Sequence, residues 1–544
     1  MEAASPASPS SGERTLLAVL LLLCAVAWIE PRGSGLAEPD ETRYAEIPRE
    51  MLAAGDLVVP RLNGLPYFEK PPLLYWANAA AFRLFGLTPY AARLPTRLAG
   101  LGTLLLLVLA VARERGRAAG LSAGVFWMAS PIGFIASRTN LTDGLLTFFF
   151  SATVLAGRAA ISRRSRSQGW IGMAAWTGVA AAGAFLTKGL IGLALPGAIL
   201  LVWALATRKG AHLLALIFSP ALPAFLALSL PWLLVAEHRH PGFLQFFFIH
   251  EHFQRFATDV ARRPGPIYYF VPVFVVGFLP GLAFFCSGAA RTRRMADPDG
   301  FFYLTWFWIV FVFFSISRSK LPPYLFPAIP AAAALAQRAV GNRRPLWIVH
   351  AILATAFSSA LLFLPALRTP VAQLRLAAIM APALSALILL SWAAVLFAAR
   401  SSALALAAVA VGWAAFLGAA VIGWPRIPQA RMTAELAAAA REEAATRQAP
   451  IVGYHAYLNG VSWELAAPIP VAGYRGELEP EFEKNRQTRE ALIWSEDRFW
   501  KTWRTQPVVA LIRLKDVVAL MTVQPPARVV RWKGKYAVVA NWEK

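Results

Sequence analysis

Charge is scarce in this 544-residue sequence, and cysteine scarcer still. Only 15% of the residues are charged, and 30 Asp and Glu stand against 53 Lys and Arg. Cysteine occurs twice, as Cys24 and Cys286, each inside an apolar run. Two isolated cysteines leave no basis for a disulfide framework or a cysteine metal cluster. They read as small core residues. The net charge is +23, yet no basic helix interleaved with aromatics accompanies it, so nucleic acid is not the expected partner. No internal repeat is visible, which argues against a transporter or flippase built from two inverted halves.

What the chain does have is apolar length. It is 57% hydrophobic with mean hydropathy +0.52, too much apolar surface for a soluble core to hide. A membrane helix needs about 20 apolar residues, and such runs recur from Thr15 to Trp424. The first, Thr15 to Ile29, contains Ala25-Val26-Ala27, which resembles a signal cleavage site. It is nearly a full span and many more follow, so it reads as the first span. The basic residues concentrate in alternate short links: 113–117, 163–167, 207–210, 291–294, 341–344 and Arg400. The positive-inside rule makes these links cytoplasmic. About thirteen spans satisfy the pattern, among them 119–136, 212–235, 267–289 and 322–340, and this puts the C-terminus on the outer side.

Acidic residues obey the complementary rule. Of fifteen between Thr15 and Trp424, twelve fall on the outer side. They crowd into the first outer loop (35–93), where Asp40, Glu41, Glu46, Glu50, Asp56 and Glu69 stand together with Arg43, Arg49, Arg61 and Lys70. Asp40 to Ala54 reads as a short amphipathic helix with Tyr44, Ile47 and Met51 on one face. Pro48 inside it favours a kink. Pro71-Pro72 opens a second helix, Leu73 to Phe85, and both are expected to lie in the membrane interface. A longer outer loop spans 237–266. Residues 1–13 read as a disordered tail, 14–425 as the membrane domain, and 426–544 as a small outer α/β domain. In that last domain a helix is expected over 429–448, strands over 451–457, 469–474 and 508–514, and a hairpin over 529–539 turning at Lys533-Gly534.

Several of these polar residues suit chemistry. Asp40-Glu41 at the mouth of a span can act as a general base or hold a cation; acidic residues also simply favour a helix N-terminus. Asp143 heads a very apolar span, where a carboxylate is expensive unless it faces a cavity or a partner. Lys70 can meet a lipid phosphate as a point charge. Lys188, Arg318 and Lys320 break the positive-inside trend, and an anionic group bound at the outer end explains all three. His250-Glu251-His252 lacks the spacing of the HExxH zinc motif, so by itself it is weak evidence for a metal.

A set of short motifs then carries a resemblance. Asp40-Glu41, Arg43-Tyr44-Ala45-Glu46, Tyr67 through Trp76, Asn140-Leu141-Thr142-Asp143, Leu186-Thr187-Lys188-Gly189, Glu251 through Phe256 and Ser319 through Tyr324 look like the aminoarabinose (4-amino-4-deoxy-L-arabinose) transferases of lipid A. These are C-fold membrane glycosyltransferases (GT-C type) related to protein O-mannosyltransferases. The resemblance implies a polytopic α-helical protein of the bacterial inner membrane with a periplasmic C-terminal domain. It implies an undecaprenyl-phosphate sugar donor, lipid A as acceptor, and a link to polymyxin resistance. Asp40 would be the catalytic aspartate, with Glu41 beside it, and Asp143 would hold the sugar or order the site. Lys70, Arg43 and Arg255 would contact the donor phosphate, with Lys188 and Lys320 as further candidates. Glu69 and His250 would bind a divalent metal, zinc or similar. A protein hydroxyl or another surface glycan stays open as the acceptor.

Overall fold

The computed structural model describes residues 8–254, 264–292, 297–341, 344–363, 371–426, 432–474, 476–478, 482 and 485–543. Its contacts divide the chain into two compact units. One holds Met1–Ile29, Thr96–Leu233 and Leu244–Gly423; the other holds Glu30–Pro95, Leu234–Phe243 and Trp424–Lys544.

The first unit is helical and apolar. It opens with the helix Ser11–Trp28, started by a capping box in which the Ser10 hydroxyl accepts from Glu13 N at 3.2 Å and the Glu13 carboxylate accepts from Ser10 N at 2.8 Å. Among the described residues, eight helices of the chain are long and apolar enough to cross a membrane, or nine with one bent pair counted as a span. The protein is therefore a multi-pass membrane protein. Four of the expected spans are not single rods, and proline is the common cause, because it removes a helix donor and clashes with the preceding turn. The stretch 119–136 stops at Ala129 and restarts at Pro131 on a Ser130 cap. The stretch 212–235 divides into Gly210–Ile217 and Ala221–Arg239 around Pro220. The stretch 267–289 bends by 79° next to Pro280. The stretch 322–340 begins as a tight 3-10 helix over Pro322–Ala328 before the α-helix Ile329–Ala336.

Small residues bring these helices together, as they must where lipid offers no hydrophobic drive for association. A Cβ at Gly178 would lie 2.1 Å from the Ala221 carbonyl oxygen, so two backbones meet there. Large aromatics fill the remaining interior: Trp127, Trp306, Trp347 and Trp413 are all buried, and Trp306 Nε1 donates to the Pro327 carbonyl at 2.8 Å.

The second unit is built like a soluble domain. Its sheet has the strand order β5-β4-β3-β6-β8-β7, from β3 (Ile451–Tyr454), β4 (Val471–Ala472), β5 (Ile493–Trp494), β6 (Val509–Arg513), β7 (Arg528–Lys533) and β8 (Tyr536–Ala540). Strands β3 to β6 pair in parallel, while β8 is antiparallel to both β6 and β7. Helix Met432–Arg447 precedes β3, and Phe499 and Trp503 of helix Glu496–Thr505 pack into the sheet core. A two-stranded ribbon, β1 (Arg61–Leu62) and β2 (Leu65–Pro66), lies in the first loop.

That first loop, which hydropathy assigns to the membrane region, clusters with residues 424–544. Helix Asp40–Ala53 runs straight past Pro48 in its hydrogen-bonded span and is buried from Glu41 to Met51. Tyr44, Ile47 and Met51 form the expected apolar face, but Glu46, Arg49 and Glu50 on the other faces are equally covered. Ion pairs make this tolerable. Arg49 grips Glu46 through two bonds of 2.6 and 2.7 Å and also donates to the Ala466 carbonyl at 3.0 Å. Asn63 trades two hydrogen bonds with the Ile469 backbone, at 2.9 and 2.8 Å. Arg93 donates to both oxygens of Glu41 (2.8 and 2.6 Å), to Glu30 (2.7 Å) and to the Gly35 carbonyl (2.9 Å).

Candidate functional site

In the second unit a cavity of about 460 Å3 opens beside the start of helix Asp40–Ala53. Glu38, Arg43, Tyr457, Asn459, Tyr474, Glu477 and Tyr536 line it. Asp40 adjoins it in the first helical turn, where a carboxylate meets the positive end of the helix dipole. Arg43 lies one turn on. Its Nη1 reaches Asp40 Oδ1 at 3.1 Å and its Nη2 reaches Glu477 Oε2 at 2.5 Å. Glu477 also accepts from Asn459 Nδ2 at 2.9 Å. Asn459 N and Gly460 N in turn donate to Glu38, at 3.1 and 2.8 Å, and Thr42 Oγ1 adds a third bond at 2.7 Å.

Asp40, Arg43, Glu477, Asn459 and Glu38 thus form one polar chain of three carboxylates and one guanidinium, with Asp40 and Glu477 in contact with Arg43. Asp40 is its accessible end: its side chain is 38% exposed against 17% for Glu477. Burial pushes Glu38 up despite the three bonds it accepts, and the Glu477 charge adds to this. Burial, then Glu477, pushes Tyr474 up to about 12. Burial, then the charge of Glu69, holds the Tyr67 phenol well above its usual value, so its proton stays in place at neutral pH.

Lys70 keeps to its neighbour Glu69, donating to that carbonyl at 2.9 Å and pairing with the carboxylate at 3.7 Å. Glu41 is buried on Arg93 and on Ala37 N, which makes it a structural anchor of the loop rather than an open acid or base.

The membrane unit gathers a second set. Asp143 stands in the first turn of helix Thr142–Arg164, and Lys188 ends helix Ile171–Lys188. The two form a buried ion pair. Lys188 Nζ also lies 4.7 Å from the centre of the Tyr324 ring, a cation–π contact. Three motifs far apart in sequence, Asn-Leu-Thr-Asp, Leu-Thr-Lys-Gly and Lys-Leu-Pro-Pro-Tyr, therefore converge. Lys320 does something different. Its ammonium donates to the carbonyls of Ser315 and Ser317 at 2.8 and 2.7 Å, and more weakly to Phe314 at 3.4 Å. It closes the C-terminal end of helix Pro298–Ile316, whose last carbonyls have no partner within the helix.

His250 stacks on Phe246 with ring centres 5.0 Å apart, and its Nδ1 lies 3.5 Å from Glu251. Arg255 falls outside the described residues. Glu69 belongs to one unit and His250 to the other. Among the described residues no three His, Cys, Asp or Glu side chains are grouped to hold a metal.

Sequence reasoning did not single out Glu38, Tyr457, Asn459, Tyr474 or Glu477. Glu38 carried a usable signal, being one more carboxylate at the head of an already acidic loop. Asn459 and Glu477 carried none, because they reach the loop only through the fold of the C-terminal segment.

The fold and these clusters define a class: a multi-pass membrane protein whose charged first loop is locked into a compact α/β unit. Residues 14–247 match the family model of dolichyl-phosphate-mannose-protein mannosyltransferases. The chain is 35% identical over 322 residues to the undecaprenyl phosphate-alpha-4-amino-4-deoxy-L-arabinose arabinosyl transferase of Serratia proteamaculans, with 58% of each chain covered. It is 36% identical over 359 residues to the enzyme of the same name from Pectobacterium carotovorum, with 63% of each covered. These alignments span about three fifths of the curated relatives they match. The crystal structure of ArnT from Cupriavidus metallidurans bound to undecaprenyl phosphate superposes with TM-score 0.83 at 32% identity, over 97% of both chains. The chain belongs to the aminoarabinose transferase family of C-fold membrane proteins.

Proposed function

We propose that this protein is a glycosyltransferase that moves 4-amino-4-deoxy-L-arabinose from undecaprenyl phosphate to a phosphate of lipid A, on the outer face of the bacterial inner membrane. The observation that carries this reading is the end-to-end likeness to a transferase structure that holds undecaprenyl phosphate. The one-sided distribution of acidic and basic links supports the orientation.

In this reaction the bond between the anomeric carbon and the carrier phosphate breaks, and an acceptor phosphate oxygen forms the new bond. Negative charge grows on the departing phosphate, so fixed cations beside it favour the transition state over the ground state. Lys70 is the proposed cation, held in place beforehand by Glu69; Lys188, paired with Asp143, is a separate candidate within the membrane unit. Lys320 is a positioning residue, because its ammonium is spent on backbone carbonyls. The Asp40 cluster suits the opposite charge. With three carboxylates, Glu38, Asp40 and Glu477, to one guanidinium, it favours the sugar's ammonium over a phosphate, and Arg43 serves to hold Asp40 and Glu477 in register. An acceptor that is already an anion needs no general base, which frees Asp40 for this binding role.

The test is mass spectrometry of lipid A from a host making this protein, against the same host making Asp40→Asn. The protein should add the mass of aminoarabinose. The variant should lose at least about a hundredfold of transfer, as expected for removing one partner of a charge pair, while accumulating normally in the membrane. A fully active Asp40→Asn protein would remove Asp40 from the site. The match to protein mannosyltransferases favours one second reading, transfer to protein hydroxyls; unmodified lipid A together with newly glycosylated membrane proteins would establish it instead.

A further inference from the structure

A second cavity, of about 930 Å3, lies wholly within the membrane unit, bounded by helices Pro89–Arg115, Thr142–Arg164 and Ile171–Lys188. Three of the basic links meet in it: Arg113 from the first, Arg163 and Arg166 from the second, Lys209 from the third. Its two acidic lining residues, Glu114 and Asp299, are both taken by Arg158, which donates to Glu114 at 2.6 Å and pairs with Asp299. Tyr303 adds a bond to Glu114 at 3.1 Å, and the Arg158 guanidinium sits 4.4 Å over the Phe302 ring. That network keeps one negative charge, two carboxylates against one guanidinium, while four further cations face the same space, so the lining as a whole carries an excess of positive charge. The rest of the wall is apolar. Trp176 and Leu109, at 66% and 42% exposed, carry it out to the flank of the helices.

A cavity with a cationic end and an apolar exit on a membrane protein is complementary to one kind of molecule. We propose that it binds an anionic phospholipid, with the headgroup phosphate among Arg113, Arg166 and Lys209 and an acyl chain running out past Leu109 and Trp176. Inorganic phosphate matches the cations but leaves the apolar wall unused. A zwitterionic lipid matches the wall but brings its own cation. By the positive-inside rule these links face the cytoplasm, where anionic lipids gather basic side chains. The proposed phosphate contacts Lys70 and Lys188 are not part of this cavity, and the inference holds whichever sugar the chain transfers.

Native mass spectrometry of the full-length protein in detergent tests it, titrated separately with phosphatidylglycerol, phosphatidylcholine and undecaprenyl phosphate. Wild type should hold phosphatidylglycerol in preference to phosphatidylcholine. Removing two charges in R166A/K209A should weaken phosphatidylglycerol about tenfold or more and leave undecaprenyl phosphate unchanged. The charge-keeping variant R166K/K209R should retain the lipid, which separates lost binding from lost folding. Equal phosphatidylglycerol affinity in wild type and R166A/K209A would overturn the proposal. So would indifference to headgroup charge, displacement of the lipid by equimolar inorganic phosphate, or a loss of undecaprenyl phosphate in place of phosphatidylglycerol.

Discussion

The two units bury charge by different rules. The membrane unit spends it sparingly: Asp143 meets Lys188, Arg158 closes on Glu114 and Asp299, and long apolar helices separate these sets. The second unit concentrates it, with Glu41, Glu46, Arg49 and Glu50 all covered on one fourteen-residue helix. In lipid an unmatched charge has no water to fall back on, so the buried carboxylates of this unit are met by cations. In the second unit, protein closes over a helix that sequence periodicity alone would leave half wet, and its buried charges find partners both on the same helix, as Glu46 and Arg49 do, and farther along the chain, as Glu41 and Arg93 do. The first arrangement makes a scaffold with isolated pairs; the second makes local networks around Arg49, Arg93 and Arg43, the last of which ends at the accessible Asp40.

The largest test of that contrast is Arg93→Ala. It strands Glu41 and Glu30 without their shared cation, and breaking such a buried pair costs about 3–5 kcal/mol. Thermal unfolding of the purified protein, followed by protease sensitivity of the loop, should show the second unit failing first. The membrane unit offers the matched experiment. Lys188→Met leaves Asp143 buried alone at a similar cost of about 3–5 kcal/mol, and adding Asp143→Asn should recover most of the lost melting temperature. If the recovered double variant transfers sugar at the wild-type rate, the pair is scaffold and Lys188 leaves the proposed chemistry.

Gly178→Ala is smaller. It forces a Cβ against the Ala221 carbonyl and should cost about 1–3 kcal/mol through overpacking, lowering melting temperature without changing the KM for donor. The smallest effect is one of slope. Burial, then the negative charge of Glu46, raises Glu50 to about 8. Arg49, 3.9 Å away, and the Gly64 N bond at 2.7 Å oppose the rise without cancelling it. The folded state therefore holds this proton where the unfolded chain, near 4.5, has lost it. The resulting stability is complete below about 4.5 and is lost as pH climbs toward 8. Glu50→Gln keeps the hydrogen bond to Gly64 and should flatten that decline in a melting series from pH 5 to 8.

Much of this protein is local and so was legible. Apolar runs mark where helices cross, because hydrocarbon demands them residue by residue. The strands at 451–454, 509–513 and 528–540 follow from alternation and β-branched content, and the helix before them from its alanines. Motif clusters were enough to identify the family. Proline positions hinted at broken spans, but hydropathy averages over such breaks, so the 79° bend beside Pro280 stayed hidden.

What the chain could not disclose by itself is pairing. Nothing near Arg43 announces Glu477, nothing near Arg93 separates Glu41 from the equally acidic Asp40, and Lys320 looks like a phosphate ligand until three backbone carbonyls are found around it. The sequence by itself determined which segments are apolar enough to enter lipid, since that depends on composition over a short window. The tertiary structure decided which carboxylates stay open to a substrate and which are consumed as structure, because that depends on the one partner each buried charge meets.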